Sequence, residues 1–310
     1  MTTSGKGVET LEDFDARIRM LLPDQYQDSY NDVEPVPMRS APLKFGRDGN
    51  VAWDEIWGSF CDLAMAGGPP HRGSLLEPGS VSDVSELPER YETVTEEICR
   101  GIGLVTGLFA QPSQYPGWIG IDCTSSGQSG WLARAITMEN VSVGFEGMVL
   151  YLPAGPHYRL EKEIKNVVTA MAKTCHYWFG HTSLEQRRAI SKLLDELETR
   201  SPLIRPIFPR PSTNAVTDEI FLSRVRAKIC EATALRCSIR GKSDWQGLEF
   251  QNAKSAIGMM RALMACNVLA RREGNTAFAA VNPIADPSGD ALANRVISAY
   301  HYGVARKMFD

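Results

Sequence analysis

Apolar and polar positions along this chain follow two different periods, and the switches between them mark out its elements. Apolar residues recur at a helical period through residues 89–100, 128–143 and 160–177, and again through 219–233, 253–271 and 290–307, so each stretch predicts a helix. Between them lie short β-rich runs, GLVTGLFA and ALRCSIR. Each run leads through a turn-rich segment, QPSQYPG or GKSD, into the pattern W-x-G-[IL]-[DE], an order that predicts a hairpin. A further strand, MVLYLP or NTAFAAVNP, follows each long helix. The order α-β-β-α-β-α therefore occurs twice, and it describes an α+β module whose sheet is buried against its helices.

The repetition extends to the residues. Sliding the chain by 127 positions aligns residues 118–147 with 245–274 without a gap, and eight of these 30 positions are identical: Trp118/Trp245, Gly120/Gly247, Arg134/Arg261, Ala135/Ala262, Asn140/Asn267, Val141/Val268, Glu146/Glu273 and Gly147/Gly274. Average residue usage would give roughly two matches by chance. An internal duplication is therefore expected, its copies packed about a pseudo-two-fold axis as in a fused dimer. A helix also precedes each copy, at residues 54–65 before the bend GGPPHRG and at 184–200 before SPLIRPIFPRP, because both proline-rich bends halt a helix. The repeating unit becomes α-α-β-β-α-β-α. Residues 1–50 form an N-terminal helix and an extended arm, 51–180 the first repeat and 181–310 the second, with the repeats forming one compact unit. The arm is expected to wrap either its own chain or a neighbouring subunit, and the latter would make a homo-oligomer.

Composition narrows the function. The 310 residues are 43% apolar and 23% charged, the balance of a chain that buries a real core. With 33 basic against 37 acidic residues and a net charge of -4, the chain has no broad cationic surface for nucleic acid. No apolar run is long enough to cross a bilayer and the first residues lack a secretory apolar core, so a cytoplasmic location without membrane contact is expected. Seven cysteines without a C-x-x-C pair suit reduced thiols. The sequence names no cofactor.

Candidate chemistry gathers in a few places. Strand alternation puts Trp118, Gly120 and Asp122 on one face, and Trp245, Gly247 and Glu249 on the corresponding one. Asp122 and Glu249 are thus candidates for an acid/base pair; alternatively each pairs with the arginine 12 residues later, Arg134 or Arg261, to lock helix to strand. The bend at residues 67–73 joins the imidazole of His71 to the guanidinium of Arg72 in a rigid loop suited to binding an anion and donating a proton. Residues 124–130 precede a helix, so Ser126 and Ser129 are candidate anion ligands, although no phosphate-loop or dinucleotide pattern is present. Glu146-Gly147 and Glu273-Gly274 read as helix stops with glycine in the left-handed position. Lys162, Lys165 and Lys173 read as a solvated face. His176 and His181 are five apart, off the spacing that puts two ligands on one helix face, so a packed aromatic helix end is favoured there over a metal site.

These features suggest a cytosolic enzyme using acid/base chemistry on a small anionic metabolite, of lyase, isomerase or hydrolase type, at the junction of the two halves. Catalysis would fall to Glu249, Asp122 and His71, and substrate binding to Arg72, Arg134, Arg261, Ser126 and Ser129. A ligand or cofactor carrier using the same arginines, or an assembly subunit bound through the arm, are the alternatives.

Overall fold

A computed structural model describes residues 10–28, 42–59, 62–209, 219–238 and 244–309, with side chains up to 56 in the second of these segments. The elements are α1 (Leu11–Leu21), α2 (Val81–Glu86), α3 (Pro88–Thr106), β1 (Ala110–Pro112), β2 (Trp118–Asp122), α4 (Ser126–Met138), β3 (Gly144–Glu146), β4 (Val149–Pro153), α5 (Lys165–Gly180), α6 (Leu184–Arg200), α7 (Glu219–Ala232), β5 (Arg236–Ser238), β6 (Trp245–Glu249), α8 (Ala253–Ala265), β7 (Ala270–Glu273), β8 (Thr276–Ala280) and α9 (Asp290–Ala305). The fold is α+β.

Two four-stranded antiparallel sheets carry the same strand order, β1-β2-β4-β3 and β5-β6-β8-β7. Their registers agree: Trp118 faces Pro153 and Asp122 faces Val149, while Trp245 faces Ala280 and Glu249 faces Thr276. One long helix packs on each sheet. Helix α4 starts where the Ser125 hydroxyl accepts from the Gln128 amide, and α8 where the Asn252 side chain accepts from the Ser255 amide. Both helices are buried nearly all round, sandwiched between sheet and further helices.

Several expected boundaries shift, each for a local reason. The long helices stop earlier, at Asn140 (φ 61) and Asn267 (φ 57), because these asparagines take the left-handed conformation that ends a helix. Glu146-Gly147 and Glu273-Gly274 therefore do not cap helices. They open two-residue hairpin turns, with Gly147 at φ 56 and Gly274 at φ 55, that join β3 to β4 and β7 to β8. The strand β3 lies between the expected helix end at 143 and its glycine stop, and β7 overlaps the last two residues of the second expected helix. Helix α3 runs on through GLVT to Thr106 and ends on Gly107 (φ 71), so β1 shares only Ala110 with the expected β run and continues into the expected turn. Residues 53–59 and 64–66 form short 3-10 turns rather than an α-helix. The first three residues of the GKSD turn and most of the expected arm lie outside the described residues.

One continuous apolar cluster joins both sheets and the helices around them. Helix α1 belongs to it through Phe14, Ile18 and Leu21. The Trp131 indole donates to the Leu21 carbonyl (2.8 Å), and the Gln186 amide donates to the Leu22 carbonyl (2.7 Å). Among the described residues no helix is long and apolar enough to cross a membrane, and the six cysteines there form no disulfide.

Candidate functional site

The junction of the two sheet layers is built from the repeated arginines and asparagines. Arg134 donates to the Gly130 carbonyl (2.7 Å) and to the Asn267 side chain, so it crosses from one layer to the other. In return the Asn140 amide donates to the carbonyls of Arg72 and Arg272 (both 2.7 Å). Arg261 donates to the Met65 carbonyl (2.8 Å). No ion pair joins Asp122 to Arg134 among the described residues, so the expected strand-to-helix pairing is replaced by this crossed arrangement. Burial pushes Arg134 down to about 10, with Glu198 opposing the shift. These two arginines serve the core and do not face solvent.

Trp118 and Trp245 share a junction cavity of about 30 Å³ with Phe208 and Glu77, room for about one water. Asp122 is exposed and Glu249 half-buried, each at the far end of its strand, about 13 Å along from that cavity. The two carboxylates make no contact with each other. The segment at 124–130 is closed upon itself: the Gln128 side chain accepts from the Thr124 amide and hydroxyl, and the Ser129 hydroxyl donates to the Gly147 carbonyl (2.6 Å). A Cβ on Gly127 would meet Ser191 at 1.8 Å, so α6 seals this helix end. Ser126 remains exposed and Ser129 is buried.

The bend bearing His71 and Arg72 lies over a buried ion pair that the sequence pattern did not reveal. Lys173 and Glu139 are both fully buried, with Nζ 3.1 and 3.2 Å from the two carboxylate oxygens. Glu139 also accepts from the backbone amides of Ala64 (2.9 Å) and His71 (3.1 Å), which ties the bend to the end of α4. The lysine is thus no part of a solvated face. Its signal was the lone charge within the apolar run VVTAMAKTC. Desolvation pushes His71 down to about 4, against Glu139 and with Lys173. The residue as a whole is half-buried, and its Nε2 is buried without a hydrogen-bond partner. Arg72 donates to the Ser74 carbonyl (3.3 Å) and stands 3.9 Å from Glu163.

A cavity opens beside the second layer. Glu139 and Asn140 follow α4 as Cys266 and Asn267 follow α8, and Ser298 stands as far into α9 as Lys173 into α5. Cys266, Asn267 and Ser298 line a cavity of about 580 Å³ closed by α1, α6 and α9. Three arginines, Arg17, Arg200 and Arg295, line it together with Asp13 and Glu196. Arg295 uses one terminal nitrogen on the carbonyls of Pro202 (2.8 Å) and Asn267 (2.9 Å), and makes no hydrogen bond from its others among the described residues. Arg17 lies over the Phe14 ring at 4.6 Å. Apart from Asn267, a repeated position, none of these residues stood out in the sequence, since they come from separate parts of the chain. A larger surface groove, about 990 Å³ beside α3, holds Arg100 and Arg159, but Glu97 and Glu163 already pair with them.

Among the described residues, no group of three or more His, Cys, Asp or Glu side chains is placed to hold a metal. Comparison with family models, with curated proteins and with solved structures finds no match for this chain.

Proposed function

We propose that the protein binds a small anionic metabolite in the arginine-lined cavity between α1, α6 and α9. The observation that carries this reading is the lining itself: three arginines with Asn267, Asn294 and Ser298 around about 580 Å³, the size of a metabolite pocket. Guanidinium forks match carboxylate and phosphate oxygens in pairs, which suits a di- or tricarboxylate or a phosphate monoester. The architecture we infer is an internal duplication about a pseudo-two-fold axis, supported by the common strand order, matching registers and paired left-handed asparagines. In this scheme one copy fills the position with Glu139 and Lys173 while the other leaves it open for the ligand. Unbridged thiols and the absence of a spanning helix among the described residues suit the cytoplasm.

Thermal shift and calorimetry on the full chain, with a panel of carboxylates and phosphate monoesters, test this. Saturable binding that Arg200→Ala or Arg295→Gln weakens at least tenfold is expected, with Glu249→Gln leaving affinity unchanged. Binding indifferent to both arginine substitutions, or no binding by any panel member, overturns it.

One observation favours the acid/base reading as a second: the uncharged His71 ring, with a buried and unbonded Nε2 beside Lys173 and Glu139. In that case His71 is the proton-transfer group. Any turnover found with a panel metabolite is then abolished in His71→Gln, and full activity there removes this reading.

A further inference from the structure

The exposed end of α5 brings two imidazoles together. His176 lies on the last turn and His181 immediately follows the helix, and their Nε2 atoms are 3.1 Å apart. The helix ends between them, so a spacing of five that would diverge on a continuous helix converges here. With metal–nitrogen bonds of about 2.0–2.1 Å, two nitrogens at this separation subtend roughly 100° at a shared ion, between the square and tetrahedral values.

We propose that His176 and His181 chelate one divalent transition-metal ion of the copper, nickel or zinc class through their Nε2 atoms, leaving its other positions to water or an added ligand. The surroundings hold both rings in place. Tyr177 lies against each, with ring centroids 5.6 Å from His176 and 5.2 Å from His181. Its hydroxyl is fixed in turn by Tyr26 (2.8 Å) and Asp62 (3.4 Å). Arg187 donates to the carbonyls of Phe179 (2.8 Å) and Thr182 (2.9 Å), which pins the turn that carries His181. The C-terminal end of a helix also favours a cation. Imidazole ligands suit copper best among these ions, so Cu²⁺ is the most sensitive probe.

The test is a titration of the untagged full chain with Cu²⁺, followed by electron paramagnetic resonance. One equivalent is expected to fill a site with two nitrogen ligands. His176→Ala and His181→Ala should each weaken it at least tenfold, while His157→Ala and His301→Ala leave it unchanged. Both rings are at the surface, so unchanged melting temperatures of the metal-free variants establish that the fold is intact. A one-equivalent nitrogen-ligated site that persists in the His176→Ala/His181→Ala double variant overturns the proposal, as does the lack of any saturable site in the parent chain.

Discussion

A lysine and a glutamate with no access to solvent, Lys173 and Glu139, sit under the His71 bend. A buried pair is a weak source of net stability, because desolvating two charges offsets most of their attraction, but breaking it strands a charge. Lys173→Met should therefore destabilise the protein by about 3–5 kcal/mol, and the Glu139→Gln/Lys173→Met double variant by clearly less, as urea unfolding will show. The neighbouring His71 makes a separate prediction. It takes a proton near pH 6.5 when unfolded and near 4 when folded, so the unfolded state binds more protons between those values. Folded stability accordingly rises with pH through that window, by about 3 kcal/mol from this ring. In His71→Phe the difference between unfolding free energies at pH 4 and pH 7 should shrink by about that amount; an unchanged difference would contradict the burial of the neutral ring. The sequence exposed this bend through its run of Gly, Pro, His and Arg. It concealed the pair beneath, since a lone lysine in a helix signals burial only when the helix is known to be apolar all round.

Short elements were harder to read than long ones. The W-x-G-[IL]-[DE] strands, the helices after them and their common offset were legible, because repetition doubled the signal. The strand β7 was not, since ARRE is charged at three of four positions. Yet Arg271 lies 4.2 Å from the Phe278 ring and 4.9 Å from that of Trp245, so its guanidinium is buried against aromatic faces and the strand passes for polar only in composition. The helix stops were equally hidden, because nothing local says that Asn140 adopts a left-handed backbone. Asn140→Ala should cost about 3 kcal/mol, part from the left-handed conformation and part from the bonds to Arg72 and Arg272. Asn140→Gly keeps the conformation accessible and should cost roughly 1–2 kcal/mol less in the same measurement. The arginine-lined cavity was illegible for a different reason, as its lining residues are far apart in sequence and no spacing rule joins them.

At the scale of the whole molecule, helix α1 is an internal element. Phe14, Ile18, Leu21 and Leu22 are buried, Tyr302 donates to Asp15 (2.6 Å), and the same helix closes the proposed ligand cavity. At about 1.5–3 kcal/mol for each buried apolar side chain, removing it takes away a large part of a typical domain's stability. Deletion of residues 1–28 should abolish the near-ultraviolet circular dichroism of the folded protein, rather than change subunit number alone. The crossed bonds bear on the chain as a whole. Because Arg134 reaches Asn267 and Asn140 reaches Arg272, buried polar groups of each layer find their partners in the other. Cutting the gene in two after residue 180 should therefore yield fragments that are each unfolded alone and that assemble only when expressed together, so that the break between the halves is a seam in sequence but not in folding.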